Sequence, residues 1–270
     1  MKSEEAWAVR RFARVAMAGT DAAAVLGFLR ALGWAGLAAG DYMEQAGARS
    51  GAEVEAVRGQ ADEIRALAIH AEGILGVLAP FPEDGPGAQR LVRRAASRIR
   101  RLSLIEGHLP ELKLPDFDCY PREVAVGWEL GQPRQAWPAV RPGRPEDAVG
   151  IQVLYEKISW MGGQSASAWR ERLARERAWV VEEGGTVIAA ARWTKQFAAM
   201  VEVGGVATLP ELRRQGAASA VTLAAGRAAL DAGYLPVLRF GDLSLVGLYQ
   251  PLGFLPVGRE LSFHRRAAGS

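Results

Sequence analysis

A strand-like run, a basic glycine turn and a helical stretch follow one another between Met200 and Gly233 and constrain this chain more than any other feature. The turn reads Arg213-Arg214-Gln215-Gly216-Ala217-Ala218. Gly216 permits a tight backbone turn, and the two small alanines leave the backbone amides accessible. Open amides at a helix N-terminus suit a phosphate or pyrophosphate. The sequence therefore predicts an anion-binding turn between a strand and a helix.

The turn does not fit the common nucleotide sites. No Gly-x-Gly-x-x-Gly follows the strand, and the turn does not end in Gly-Lys-Ser/Thr, so dinucleotide and nucleoside-triphosphate sites are both disfavoured. An arginine-rich loop before an alanine-rich helix also occurs without any ligand in a chain rich in both residues. Taken alone, the turn leaves that structural explanation open.

Two motifs in order resemble the GNAT superfamily of N-acetyltransferases, over roughly residues 137–264. The first is the pyrophosphate turn Gln/Arg-x-x-Gly-x-Gly/Ala, whose specified places hold Arg213, Gly216 and Ala218. The second is Leu-Tyr-x-x-Leu-Gly-Phe, which stands at residues 248–254. The resemblance implies an α/β (α+β) fold, in which a mixed and largely antiparallel sheet is flanked by helices. It also implies an enzyme that uses acetyl-CoA as cosubstrate.

The resemblance also assigns roles to individual residues. Tyr249 corresponds to the tyrosine whose hydroxyl meets the departing thiolate, and Glu202, eleven residues before Arg213, to a glutamate that serves as general base in several members. The Val206 amide is the implied oxyanion donor, and Asp242 stands where the family tends to have asparagine. The implied cofactor-binding residues are Val206, Ala207, Thr208, Arg213, Arg214, Gln215, Gly216, Ala217, Ala218 and Asp242.

Each of these candidates has a structural alternative. Glu202 alternates with apolar neighbours and could be an ordinary solvent-facing strand residue. Tyr249 could pack in the core. The acceptor is expected to enter beside the glycine-containing loop 161–165, where Trp160 and Trp193 could line a pocket or fill the core.

Composition narrows the protein class. The chain has 270 residues and is 49% apolar, which is enough for a sizeable core. Its one cysteine and three scattered histidines predict no metal site. The N-terminus lacks the layout of a signal peptide and no apolar run is long enough for a membrane helix, so we expect a cytoplasmic protein without a membrane partner. A net charge of +3 with dispersed arginines disfavours nucleic acid as a partner.

Apolar periodicity predicts that the first half is rich in helix. Stripes of apolar residues at helical spacing cover 8–16, 25–32 after a cap at Thr20-Asp21, 54–68 and 91–102. The half could be a decayed second copy of the GNAT-like domain, but its helical stripes and lack of a pyrophosphate turn favour something simpler. We therefore predict a helix-rich domain of unknown role over residues 1–136 and a GNAT-like domain over 137–270.

The second half predicts alternating strands and helices. Strands are expected at 124–130, 139–141, 178–182, 186–194, 200–208 and 236–240, followed by a terminal strand pair. Helices are expected at 146–159, 166–176, 216–232 and 243–252. This order suits the GNAT resemblance.

The expected function is transfer of an acetyl group from acetyl-CoA to a primary amine, on a small molecule or on a protein, by direct attack. The alternative is a non-catalytic acyl-CoA-binding or protein-interaction module on the same fold. Homodimer formation is compatible with either function.

Overall fold

The computed structural model describes residues 8–12, 20–46, 53–58, 61, 63–71, 74–80, 85–109, 112–132, 140–158 and 161–266. The chain divides into two compact units, one formed by Met1–Glu123 with Gly258–Ser270 and the other by Val124–Val257. The domain boundary predicted at 136/137 lies outside the described residues and stays a prediction. Within the described part of the chain, no helix is long and apolar enough to cross a membrane.

The first unit is a sheet with helices. Its strands pair in the order β1-β2-β3-β4-β5, antiparallel except for the parallel pair β4 and β5, and the last strand of the chain, β12, pairs antiparallel with β5. The elements are β1 (Ala8–Phe12), α1 (Thr20–Ala31), a 3-10 helix (Gly33–Gly36), α2 (Leu37–Ala46), β2 (Glu53–Arg58), β3 (Ile64–Ala71), β4 (Ile74–Leu78), α3 (Gly85–Ala95), β5 (Arg101–Ile105), the start of β6 (Phe117–Gly127) and the end of β12 (Phe254–Arg265).

Helix α3 builds the core of this unit. Its buried face, with Leu91 and Val92, belongs to the same apolar cluster as Val77 of β4 and Leu102 and Leu104 of β5. Residues 102 and 104 point to the α3 side, so alternation turns residues 101 and 103 to the other face of the sheet.

The strands of the second unit pair in the order β7-β8-β9-β10-β11-β6. Strands β7 to β10 are antiparallel to one another, whereas β10 and β11 are parallel. The elements are β7 (Val140–Pro142), a 3-10 helix (Pro145–Asp147), α4 (Ala148–Glu156), α5 (Ala166–Leu173), β8 (Ala178–Glu183), β9 (Thr186–Phe197), β10 (Met200–Thr208), a 3-10 helix (Pro210–Leu212), α6 (Ala217–Asp231), β11 (Leu235–Phe240), and α7 (Val246–Tyr249) between 3-10 helices Leu243–Leu245 and Gln250–Leu252.

The two units repeat one order of elements. Both contain a strand and two helices, followed by three antiparallel strands and a helix, and then by a strand parallel to the one before that helix. The N-terminal half is thus built on the same plan as the C-terminal half, and the sequence-based preference for something simpler is wrong.

The α/β fold class is confirmed, with a largely antiparallel sheet, flanking helices and helices in the N-terminal half. The helix predicted from Thr20 is α1. The helix predicted over 54–68 is wrong, because this segment forms β2 and β3. The predicted helix over 8–16 contains β1 at residues 8–12, and its remainder lies outside the described residues. The helix predicted over 91–102 ends at Ala95, and the terminal strand pair is one strand, β12.

Candidate functional site

The second unit contains two neighbouring parallel strands that separate from each other. Strands β10 and β11 pair over only three residues, Met200–Glu202 with 235–237, although β10 continues to Thr208 and β11 to Phe240. Parallel neighbours need a crossover connection, and here it is α6. The crossover begins at the carboxyl end of β10, so the N-terminus of α6 lies beside the part of β10 that has left β11.

The turn before α6 presents an open helix N-terminus. Gly216 is the N-cap residue at φ +91°, with no side-chain hydrogen bond to the first amides, and no acidic residue occupies the first turn. Arg214 also has a positive φ, of 66°, which a non-glycine residue rarely adopts. Arg213, Arg214 and Gln215 are exposed. The predicted turn is therefore formed as a helix N-terminus flanked by two exposed arginines.

Strand β10 carries a bulge where it has left β11. Its pairing with β9 shifts between Gly204 and Ala207, so that Gly205 and Val206 lie opposite the single residue Ala191. Gly205 has φ +61°, and a Cβ there would come within 2.9 Å of the Tyr155 hydroxyl oxygen. The glycine is thus required by both its conformation and its neighbour.

Tyr155 of α4 holds this bulge. Its hydroxyl donates a hydrogen bond of 2.5 Å to the Gly205 carbonyl oxygen, and its ring stacks on Trp169 at 4.9 Å. Burial raises the pKa of Tyr155 to about 12, although the charge of Arg192 and a hydrogen bond from it oppose the rise. Tyr155 therefore stays protonated and keeps donating to the bulge.

Arg192 of β9 lies beside the same bulge. Its guanidinium binds Glu176 at 2.6 Å and lies over the Trp169 ring. Sequence reasoning missed both Tyr155 and Arg192. The partner of Tyr155 is fifty residues away, and no local spacing signals such a contact.

Glu202 is bound to two cations. It is only 8% exposed, and its carboxylate pairs with Lys195 of β9 at 2.6 Å and with Arg239 of β11. Burial alone would raise the pKa of Glu202, but the charges of Arg239 and Lys195 and their hydrogen bonds lower it to about 2. Glu202 also occupies the last paired position between β10 and β11. Its ion pairs therefore join three strands where the separation begins.

Tyr249 of α7 is buried beside the end of β11. It is 5% exposed, and its ring contacts Phe240 at 5.0 Å and Phe254 at 6.4 Å. Burial raises the pKa of Tyr249 to about 12. The hydroxyl is therefore protonated at neutral pH, so it can donate but not accept a proton.

The remaining candidates lie in different environments. Ala207 and Thr208 are buried and Val206 is half-buried, and the Thr208 hydroxyl has no hydrogen-bond partner among the described residues. Asp242 is exposed and caps the 3-10 helix after β11 by accepting from the Ser244 amide at 2.9 Å, which lowers its pKa. This local bond occupies one carboxylate oxygen.

The two candidate tryptophans, Trp160 and Trp193, and the loop 161–165 have different surroundings. Trp193 is buried and donates through Nε1 to the Ala225 carbonyl of α6 at 3.0 Å, so it fills the core. Trp160 lies outside the described residues, while Met161 packs partly buried against the core and residues 162–165 are exposed or half-buried. Among the described residues, no three His, Cys, Asp or Glu side chains are placed to hold a metal ion.

No curated protein sequence matches this chain significantly. Several solved structures share its fold. A GCN5-related N-acetyltransferase from Kribbella flavida is 20% identical, with a TM-score of 0.54 over 76% of this chain and 88% of that one. A GNAT-family acetyltransferase from Colwellia psychrerythraea is 12% identical, with a TM-score of 0.60 over 96% and 100%.

A third similar structure is a tandem GNAT protein from the clavulanic acid biosynthesis pathway, 15% identical, with a TM-score of 0.58 over 98% of this chain and 99% of that one. These likenesses concern the fold. The sequence itself matches a family model, that of the acetyltransferase (GNAT) family, over residues 151–254. The C-terminal half of the chain therefore carries an acetyltransferase domain of the GNAT family.

Proposed function

We propose that the second unit transfers an acetyl group from acetyl-CoA to a primary amine of a small molecule or a protein. The observation that carries this proposal is the separation of β10 from β11 beside the open N-terminus of α6. An acyl-CoA needs a site for a pyrophosphate and a site for an extended, amide-bearing arm. The turn and the part of β10 that no longer pairs with β11 supply both kinds of group.

The pyrophosphate would bind at the turn 213–218. The first amides of α6 and the positive end of its dipole favour an anion, and the guanidinium groups of Arg213 and Arg214 add positive charge. The small side chains of Ala217 and Ala218 leave room for close approach. Asp242 would remain a helix cap, since its carboxylate is engaged locally.

The pantetheine arm would pair with β10 beyond Glu202. Backbone groups of a strand that has left its neighbour need other partners, and an extended chain of amides can supply them. Val206 and Ala207 stand at the bulge, and the Thr208 hydroxyl, which has no hydrogen-bond partner within the described ranges, offers a further polar contact. In this proposal the Val206 amide polarises the thioester carbonyl, and Tyr155 fixes that amide by holding Gly205.

The chemistry requires a neutral amine. Its nitrogen lone pair attacks the thioester carbon, the carbon–sulfur bond breaks, and one proton passes overall from nitrogen to the departing thiolate. With a pKa of about 12, the Tyr249 hydroxyl is protonated and can donate a hydrogen bond to the developing negative charge on sulfur. Complete proton transfer from Tyr249 to a thiolate of pKa near 8.5 would be uphill, so we assign Tyr249 a stabilising hydrogen bond.

The position of Glu202 favours a structural role over the role of general base. A carboxylate with a pKa of about 2 has little affinity for a proton at neutral pH, and both its neighbours are cations. We propose that the amine loses its proton to water and that Glu202 clamps β9, β10 and β11 together. The rate should then rise with pH as the free amine forms.

Turnover with acetyl-CoA and a panel of primary amines tests the proposal directly. Release of free CoA thiol that depends on the amine, together with acetylated product, is the expected result. Binding of acetyl-CoA without any amine-dependent thiol release would favour the non-catalytic module. Absence of both would contradict the proposal.

Replacing Tyr249 with phenylalanine removes the hydroxyl but keeps the ring against Phe240. We expect kcat to fall roughly 100-fold, with KM for acetyl-CoA nearly unchanged, because the lost bond acts on the leaving sulfur. Tyr234→Phe is the matched control, since Tyr234 precedes the amino end of β11 and its ring contacts Trp193. An unchanged kcat in a folded Tyr249→Phe variant would remove Tyr249 from the reaction.

Replacing Tyr155 with phenylalanine removes the hydroxyl, and with it the hydrogen bond to the Gly205 carbonyl and the one from Arg192, but keeps the ring. We expect kcat to fall about tenfold, because a misplaced oxyanion donor costs on the order of 1–3 kcal/mol of transition-state stabilisation, while KM for acetyl-CoA changes little. Circular dichroism and the Tm serve as controls for folding. A lower Tm with kcat unchanged would show that Tyr155 is merely structural.

Because of the ion pairs of Glu202, we expect part of the free energy of unfolding to be lost in acid. Its folded pKa of about 2 lies below its ordinary value of 4.5, so its contribution is present above pH 4.5 and is lost as the pH falls towards 2. This shift in the pKa of Glu202 corresponds to a contribution of roughly 3 kcal/mol to the free energy of unfolding. The stability difference between wild type and Glu202→Gln, measured by urea unfolding, should shrink over this window. A difference that does not change between pH 5 and pH 2 would refute the assignment, with the exposed Glu183→Gln as control.

A further inference from the structure

The first unit presents a polar sheet face built from β5, β6 and β12. Directly paired residues of β5 and β12 are Arg101 with His264 and Ser103 with Ser262. Leu102 and Leu104 belong to the apolar core, so Arg101, Ser103, Ser262 and His264 lie on the face opposite α3.

Strand β6 adds two further side chains to this face. The Tyr120 ring contacts His264 edge-on, with ring centroids 5.0 Å apart, and Arg122 is two residues further along the same side of the strand. Tyr120 is 53% exposed and Arg122 is half-buried. We call Arg101, Ser103, Tyr120, Arg122, Ser262 and His264 the basic face.

The cationic groups of the basic face act on one another. The pKa of Arg101 is lowered by burial and by the charge of Arg122, against an opposing effect of Glu260. The pKa of His264 is lowered by burial and by the charges of Arg101 and Arg122. Two arginines and a histidine are thus held within mutual electrostatic range on neighbouring strands.

Two acidic side chains near the basic face have partners of their own, and the Glu260 partner belongs to the face itself. Among the described residues, no acidic side chain forms an ion pair with Arg101 or Arg122 at a distance of 4 Å or less. The Glu260 carboxylate accepts a hydrogen bond from the Ser103 hydroxyl at 3.0 Å, and Asp118 lies 3.8 Å from Arg266. Placing like charges together without a bound counter-ion destabilises a fold, so the arrangement favours a ligand that supplies negative charge.

We propose that the basic face binds the phosphate group of a small molecule. Two guanidiniums provide planar forks of N–H donors suited to phosphate oxygens, and His264 adds a third cationic donor once a bound anion raises its lowered pKa and protonates it. Two to three positive charges match a phosphate dianion better than a monoanionic carboxylate. The exposed Tyr120 ring beside His264 offers an apolar surface for the organic part of the ligand.

This site is independent of the proposed acetyl transfer. Every residue of the basic face belongs to the first unit, whereas the turn 213–218 belongs to the second. A failure of phosphate binding at Arg101 and Arg122 therefore contradicts only the phosphate site. A failure of acetyl-CoA turnover contradicts only the proposed acetyl transfer.

Proton NMR of the histidine rings, with inorganic phosphate as probe, tests the proposal. The chain has three histidines, and the His264→Gln variant identifies the signal of His264. We expect phosphate at constant ionic strength to shift that signal saturably and to raise the pKa of His264, because a bound anion favours the imidazolium. Acetate at equal ionic strength should have a much smaller effect, and an equal effect would contradict the phosphate assignment.

The variants Arg101→Gln and Arg122→Gln should each weaken the phosphate response at least tenfold. Arg93→Gln, which changes an exposed arginine of α3, is the matched control and should leave it intact. Arg213→Gln should also leave it intact, which separates this site from the turn before α6. A phosphate response that survives in both the Arg101 and Arg122 variants, or that is absent from the wild type, would overturn the proposal.

Discussion

The site in the second unit depends on one constraint, that two neighbouring parallel strands stop pairing after three residues. A parallel neighbour needs a crossover helix, and α6 therefore begins at the same end of the sheet at which β10 leaves β11. One feature of topology thus brings an open helix N-terminus together with strand backbone that no longer pairs with β11. In the proposed function neither would be enough for an acyl-CoA alone, because the arm and the pyrophosphate require different partners.

Two side chains define where the separation lies. Glu202 joins β9, β10 and β11 at the last paired position, and Tyr155 holds the Gly205 carbonyl at the bulge three residues further on. Strand β10 is thus anchored where it leaves β11 and again at the bulge. A glutamate at this place in the strand is therefore fully occupied by structural ion pairs, which explains why its pKa is so far below that expected of a base.

The sequence predicted the second half well because its signals are local. Gly216 marks the start of α6, and β10, whose residues alternate, was predicted with the bounds it has. The prediction for the first half was wrong because Val54, Ala56 and Val57 are all buried in β2, so its apolar residues do not alternate strictly and Val54 and Val57 fit a helical spacing. The partners of Glu202 and Tyr155 could not be predicted, since both contacts exist only after the sheet has formed.

Calorimetric titration of the protein with CoA tests the central claim most directly, because it needs no knowledge of the acceptor. The account predicts saturable binding with one site in the second unit, weakened when Arg213 and Arg214 are both replaced by glutamine and unchanged when the exposed Arg175 of the same unit is replaced. Binding that is equally strong in the Arg213/Arg214 variant, or no binding to the folded wild type, would contradict it.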